Sequence, residues 1–397
     1  MAAEAPGRAS RLAAVLREEE RVTPLELFFD LVFVLALTQC TALMARQPTW
    51  EGVAKGLLVL ALMWWTWVGY AWLTSVVNPE EGFVRIAVFV AMAAVLVASL
   101  CIPGAFDGSA TLFAGAYATV RAAHIALFLS ASRDNPTLRR SVLSLALSTA
   151  IGVTLIFVAA AFDGAAQGAL WLLALALDYG GPYVGGAEGW TLVPGHFAER
   201  HALIVIVAIG ESIVAIGAGA DVSVDAGVVA AAVAGIAIAA GLWWLYFDVV
   251  ALVAAHHLAQ AREGRERNEM ARDSYSYLHL LMIAGIILVA LGMKKTLGHV
   301  GDPLEAVPGI ALYGGTVLYL VGHLAFRLRN VRTLNKQRLV AAVLLVALTP
   351  AALQVPALAA AAFLAVVLLI LVGYEAIRFA DARSRVRHEL SREPVAS

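Results

Sequence analysis

Residues 24–45 read PLELFFDLVFVLALTQCTALMA, an apolar run opened by a proline and charged only at Glu26 and Asp30. A helix crosses the hydrocarbon of a bilayer with roughly 20 such residues. The run therefore reads as a membrane span. The 23 residues before it are polar, mix Arg with Glu, and lack the apolar core of a secretory signal. Span 1 thus reads as a retained signal anchor. Eleven more runs follow, at about 54–76, 84–102, 110–131, 141–162, 168–185, 201–219, 226–250, 274–293, 307–327, 339–354 and 356–379. Gly and Pro punctuate the gaps, at Pro79, Pro103-Gly104, Pro136, Asp163-Gly164, Pro194-Gly195, Pro303 and Pro308. Only Pro350–Pro356 separates spans 11 and 12.

Composition agrees. Of 397 residues, 61% are apolar and 14% charged, where a soluble domain carries about 25% charge. So much apolar surface has no soluble core to enter. The chain reads as an all-α, polytopic integral membrane protein of about 12 transmembrane helices, with the lipid bilayer as its first partner. A net charge of −1 gives no reason to expect a nucleic-acid partner. Cys40 and Cys101 both lie in apolar runs and read as packing residues, not a disulfide framework. Arg outnumbers Lys 24 to 4 and Ala is abundant, which points to a GC-rich bacterial source and so to the bacterial cell (inner) membrane.

Lys and Arg in the loops set the orientation. With a cytoplasmic N-terminus, the inside segments hold 23 of them, from Arg8, Arg11, Arg17 and Arg21 through Arg200 to Arg385, Arg387 and Arg392. The outside segments hold four: Arg46, Lys55, Lys294 and Lys295. Both termini are then cytoplasmic, and one missing span would invert every later loop.

The chain also reads as internally repeated. Trp64-Trp65 of span 2 echo Trp243-Trp244 of span 8. Without a gap, Gly115, His124, Ala126, Leu129 and Arg133 fall on Gly314, His323, Ala325, Leu328 and Arg332. Spans 1 and 7 share a leading Glu, Glu26 and Glu199, and late polar residues. Two six-helix halves in parallel orientation, a plan common among secondary transporters, divide the chain into an N-terminal segment 1–23, halves 24–185 and 186–379, and a cytoplasmic tail 380–397.

Ionisable residues inside spans are costly and mark candidate sites. Glu211 sits in ALIVIVAIGESIVAIG, about 15 Å of helix from the cytoplasmic end. It must pair, carry a proton or face water. Ser212 and nearby glycines suit a tightly packed face. Asp30 lies about two turns into span 1, with Glu26 one turn earlier on the same face. Thr23-Pro24-Leu25-Glu26 also reads as a capping box, which offers Glu26 a plain structural role. Two such carboxylates call for a buried cation. Arg121, mid-span with His124 one turn on, is expected to pair with Asp30 or Glu211. His124 reads either as a hydrogen-bonding group or as a proton relay. Asp178 and Asp248 stand toward the cytoplasmic ends of spans 6 and 8, and Asp178-Tyr179-Gly180-Gly181-Pro182 reads as a helix break. The aromatic cluster Trp64, Trp65, Trp67, Tyr70 and Trp72 fits either packing or stacking on a planar or cationic substrate. His196, Glu199 and His201 do not have metal-site spacing. No phosphate-binding loop, dinucleotide fingerprint, nucleophile elbow or CxxC pair is present, so no cofactor, metal or catalytic residue is expected.

RVTPLELFFDLVFVLALTQ from Arg21, LDYGGP from Leu177, GHFAERHALIVIVAIGESIVAIGAGA from Gly195, LWWLYFD from Leu242 and ARDSYSYLHLLMIAGIILVALGMK from Ala271 closely resemble the bacterial low temperature requirement protein A family. The resemblance runs from about 20 to 375. It implies a multi-pass bacterial membrane protein linked to growth in the cold, and no reaction or substrate. The family's polar positions fall on Glu26, Asp30, Glu199, Arg200, His201, Glu211, Ser212, Asp248, Arg272, Asp273, Tyr275, Tyr277 and His279. One departure is Leu281, where the family pattern has a proline, so no kink is implied there.

Taken together, the sequence favours a secondary transporter of an unknown small solute, coupled to a proton or cation at a central polar site of Glu211 and Asp30 with Arg121 as partner. A non-transporting sensor or scaffold for cold adaptation, a lipid enzyme using Asp178, Asp248, Asp273 and His279, and a channel are the alternatives.

Overall fold

The computed structural model describes residues 21–80, 82–185, 188–219, 225–381 and 383–384. The segment 1–20, residues 382 and 385–397 of the expected tail, and the inside arginines Arg8, Arg11, Arg17, Arg385, Arg387 and Arg392 lie outside the described residues.

Local signals start the helices where they should. Thr23 and Glu26 form the expected capping box, with the Thr23 amide donating to Glu26 Oε2 at 2.8 Å and the Glu26 amide to Thr23 Oγ1 at 3.4 Å. Asn135 before Pro136, Asp225 and Asn335 each accept from amides of the first turn of their own helix. The resulting order is α1 (Pro24–Arg46), α2 (Trp50–Thr74), α3 (Gly82–Cys101), α4 (Ala110–Ala131), α5 (Pro136–Ala159), α6 (Gly164–Val184) and α7 (Pro194–Gly219). There follow α8 (Ala226–Phe247), α9 (Val250–Gln260), α10 (Arg265–Met270), α11 (His279–Gly298), α12 (Ala306–Val331), α13 (Lys336–Ala352) and α14 (Ala357–Arg378). A 3-10 turn, Ile102–Gly104, follows α3, and a π-helix, Ala271–Leu278, leads into α11. The described residues contain no strand.

Every expected span falls on a helix. Among the described residues nine stretches are long and apolar enough to cross a membrane. Helices α6, α7 and α13, at the places of spans 6, 7 and 11, are not among them. Burial is inverted relative to a soluble protein. Leu31 is 64% exposed and Ile370 65%, whereas Arg121 is 2% and Arg200 1% exposed. Apolar side chains outside and ionic groups inside are what lipid as the surrounding solvent demands.

Two expectations need correction. Helix α7 begins at Pro194, not near 201, so Arg200 belongs to the helix and not to a loop. A proline at the first position starts the helix ahead of its apolar window. Helix α6 does not break at Asp178–Pro182 but runs on to Val184. Pro182 lies in its last turns, where one lost hydrogen bond is tolerable. Gly181 serves close packing: a Cβ there would stand 2.7 Å from Ser148 Oγ of α5.

The chain forms two compact units. Among the described residues the first takes 21–39, 58–200 and 262–269 and the second 40–57, 201–261 and 270–384. In the first, α3 packs on α4, α4 on α5 and α5 on α6. In the second, α11 packs on α12, α8 on α14, and α12 on α13. The α11–α12 seam is the tightest. A Cβ on Gly285 would lie 2.6 Å from the Gly315 carbonyl oxygen, and one on Gly315 2.7 Å from that of Gly285. Small residues let helices approach where lipid gives no hydrophobic drive to associate.

That contact can be tested with neighbouring glycines. Gly285→Ala should destabilise the protein by about 1–3 kcal/mol through overpacking. Gly314→Ala meets only Ile310, at 3.7 Å, and should be neutral or stabilising by up to about 1 kcal/mol. Equilibrium unfolding in mixed detergent micelles measures both, and equal effects would refute the seam.

Candidate functional site

In the first unit the third and seventh residues of α1 face the third and seventh residues of α7. Glu26 and Asp30 are the two acids, and His196 and Arg200 the two bases. His196 Nε2 is 2.8 Å from Glu26 Oε1. Arg200 spans both acids, donating to Asp30 Oδ1 at 2.7 Å and to Glu26 Oε1 at 3.0 Å. Both pairs have the same sequence separation, 170 residues. A constant offset means that the two helix starts run parallel and in register. Asp30 and Arg200 each stand six residues beyond the helix start, about 9 Å along the axis.

Helix α2 closes the cluster. Trp67 Nε1 donates to Asp30 Oδ1 at 2.8 Å, and the Arg200 guanidinium lies 5.5 Å from the Trp67 ring centroid. Arg200 also donates to Thr74 Oγ1 at 3.2 Å, and Ser75 Oγ is 3.4 Å from His196 Nδ1. All four ionic side chains are at most 2% exposed. One acceptor is unused: Asp30 Oδ2 is buried without a hydrogen-bond partner. Glu26 is therefore both a cap and a member of an ionic site.

Arg121 does not pair with Asp30 or Glu211, as the sequence reading expected. It pairs with Asp178 at 3.2 Å. The reason is depth and direction. Arg121 is in the middle of α4, and mid-helix positions of α5 and α6 meet it there. Arg121 donates to Thr149 Oγ1 of α5 at 2.6 Å, Thr149 donates to Asp178 Oδ1 at 3.2 Å, and Tyr117 donates to Asp178 Oδ2 at 2.8 Å. Asp178 thus sits within a bundle, not at an open helix end. His124, one turn beyond Arg121, packs against Tyr70 and Phe128, with ring centroids 5.6 and 5.1 Å away. Its Nε2 lies against Gly69, where a Cβ would be 2.9 Å away.

The aromatic cluster of α2 is occupied by the protein itself. Trp65 stacks on Tyr179 at 4.3 Å, Trp64 on Trp67 at 5.0 Å, and Trp72 meets Phe197 and Trp190 edge-on.

In the second unit Glu211 is fully buried, and neither carboxylate oxygen makes a hydrogen bond of ordinary geometry. Thr41 of α1 lies against it, and Lys294 is close enough to act on it electrostatically. Thr41 and Glu211 are again 170 apart in sequence. Ser212 turns back to the Ile209 carbonyl at 2.7 Å. Asp248, which caps α8, accepts from Arg383 through both of its carboxylate oxygens. Asp273 lies between Arg272 and Arg329, at 2.8 and 3.0 Å. His279 Nε2 is 2.8 Å from the Tyr246 hydroxyl, and its Nδ1 is 3.0 Å from the Ser274 carbonyl in the π-helix.

Sequence reasoning misses Arg200 as the central cation, because the apolar window of span 7 starts after it. It also misses Thr149 and Tyr117. The readable signal for Arg200 is its place six residues after Pro194, matching Asp30 after Pro24.

Apolar surface facing outward and ion pairs enclosed by helices define a polytopic helical membrane protein. The family model for the bacterial low temperature requirement A protein (LtrA) matches residues 21–373, and the chain belongs to that family. It is 29% identical over 308 residues to an uncharacterized protein of Rhizobium meliloti (strain 1021), covering 75% of each chain. No solved structure matches the chain.

The Arg121–Asp178 pair yields a sharp test. Arg121→Leu leaves a buried carboxylate without its cation and should destabilise the protein by about 3–5 kcal/mol. Arg121→Leu with Asp178→Leu removes both charges and should recover most of that loss. A double variant as unstable as the single one would refute the pairing.

Proposed function

We propose that the chain is a secondary transporter of a small solute, coupled to a proton or a cation, and not an enzyme. In this reading twelve spans form two parallel six-helix halves, 24–185 and 186–379, in the bacterial cell membrane with both termini cytoplasmic. The observation that carries it is Glu211. A fully buried carboxylate with Thr41 beside it and no ion-pair partner within 4 Å among the described residues must be met by a proton or a cation, because a buried charge without a counter-charge is very costly. A group that exchanges such a partner is what coupling requires.

The α1–α7 cluster supplies a second such place. Glu26, Asp30 and Arg200 together leave one net negative charge when both acids are ionised. His196 is positioned to hold a compensating proton, and the unused Asp30 Oδ2 is positioned to receive a cation or a solute donor. Arg200 takes the partner role first given to Arg121. His124 stays a candidate to tune proton release.

Support for two parallel halves comes from contacts inside each unit. The first helices of the two halves run parallel where Glu26 and Asp30 meet His196 and Arg200. A tyrosine of each Trp-Trp helix also packs on the matched histidine, Tyr70 on His124 at 5.6 Å and Tyr246 on His323 at 5.8 Å. Parallel repeats related by an axis along the membrane normal have this character.

A membrane sensor or scaffold is the second reading. Its supporting observation is the Arg121–Asp178–Thr149–Tyr117 cluster, whose hydrogen bonds satisfy both oxygens of Asp178.

Proteoliposomes loaded with a pH-sensitive dye separate the two. Inward gradients of a panel of cytosolic amino acids, sugars and organic acids should drive proton movement in the wild type for one class of solute. Glu211→Gln should abolish that movement. Undiminished movement in Glu211→Gln would refute the role of Glu211, and none in the wild type would favour the sensor.

A further inference from the structure

The second unit contains a cavity of about 410 Å³ where α8, α12, α13 and α14 end. Four cations line it: Arg327, Lys336, Arg338 and Arg383. Two acids line it as well, Asp248 and Glu375, and each is already engaged. Glu375 is held by Arg338 through two bonds of 3.0 and 2.9 Å, and Asp248 by Arg383. Arg338 is further fixed from behind by His323 Nδ1 at 3.1 Å.

This pairing leaves Arg327 and Lys336 as the uncompensated charges. Among the described residues neither has an ion-pair partner within 4 Å. Arg327 spends only its Nε, on Thr333 Oγ1 at 2.9 Å, which leaves both terminal nitrogens for a ligand. A guanidinium fork and a nearby ammonium on a net charge of +2 match a phosphate group in geometry and sign.

The rim decides between a free and a lipid-borne phosphate. Trp244, Leu334 and Phe379 line the same cavity and are 36%, 48% and 36% exposed. A soluble phosphate has no use for them, whereas the glycerol and first methylenes of a phospholipid do. The helix faces above are apolar and outward, with Val343 at 62% and Ile370 at 65% exposure. The cavity stands at the helix ends that the distribution of Lys and Arg assigns to the cytoplasm.

We propose that this cavity binds the phosphodiester headgroup of an anionic phospholipid of the inner leaflet, through Arg327 and Lys336, with Trp244, Leu334 and Phe379 against its glycerol region. Arg338 and Arg383, locked by their acids, shape the walls and add no net charge. The site shares no residue with Glu211 or the α1–α7 cluster, and it does not depend on transport.

The test uses full-length protein in detergent, titrated with phosphatidylglycerol or phosphatidylcholine and read by native mass spectrometry. Wild type should retain phosphatidylglycerol in preference to phosphatidylcholine. Arg327→Gln with Lys336→Gln should weaken phosphatidylglycerol binding about twenty-five-fold, at roughly fivefold per removed cation. Arg139→Gln with Arg140→Gln removes two exposed cations of the first unit and should leave binding unchanged. Thermal unfolding of each variant guards against misfolding. An equal loss in both double variants would reduce the effect to general surface charge and overturn the site. Displacement of the lipid by millimolar glycerol phosphate would overturn the lipid assignment in favour of a soluble phosphate.

Discussion

The constraint on which the first unit depends is the pairing of Arg200 with Glu26 and Asp30. Three charges lie at most 2% exposed in a setting where each alone would be intolerable. Arg200 is suited to the task because it cannot shed its charge and presents several donors in one plane. Its two terminal nitrogens reach one carboxylate each, so α1 and α7 must start at the same depth and run in the same direction. Trp67 covers the guanidinium face and donates to the same Asp30 oxygen. Position, direction and rotation of the two helices thus follow from one side chain.

In the second unit Thr41 and Glu211 repeat the 170-residue offset. The two polar clusters differ in character. Near the helix starts every group but one oxygen of Asp30 and the Nε of Arg200 has a partner. In the second unit Glu211 has Thr41 beside it and no ion-pair partner within 4 Å among the described residues. A site for an exchangeable ion needs this second character, since a fully satisfied network has nothing to bind. In the Arg121–Asp178 cluster both carboxylate oxygens have donors and only the Arg121 Nε lacks a partner. The cluster ties α4, α5 and α6 together at mid-helix, where Gly152 and Gly181 let α5 and α6 approach.

The fold was legible in the sequence to the extent that it rests on composition. Apolar runs of span length and glycine-proline gaps located the helices, and the capping box at Thr23 located the start of α1. Legibility failed where tertiary contact overrides local signals. Asp178-Tyr179-Gly180-Gly181-Pro182 reads as a break because glycine and proline usually end helices, yet here Gly181 makes room for Ser148 of α5. The π-helix at Ala271–Leu278 had no signal in periodicity. The buried charges Glu26, Asp30, Arg121 and Glu211 are legible because charge inside an apolar run is visible. Their pairings are not, since pairing depends on depth and facing, which spacing along one chain does not encode. Arg200 was hidden by its place at the edge of an apolar window, and Thr149 by being an ordinary polar residue on a helix.

A double-mutant cycle on Asp30 and Arg200 tests the central pairing most directly. Asp30→Asn keeps an acceptor for Trp67 and removes only charge, and Arg200→Gln removes the cation. Unfolding in mixed micelles should show a large loss for Arg200→Gln and a much smaller further loss when Asp30→Asn is added, giving a coupling of about 3 kcal/mol or more. Strictly additive effects would mean that the two side chains do not sense each other, and the in-register arrangement of α1 and α7 would then be wrong.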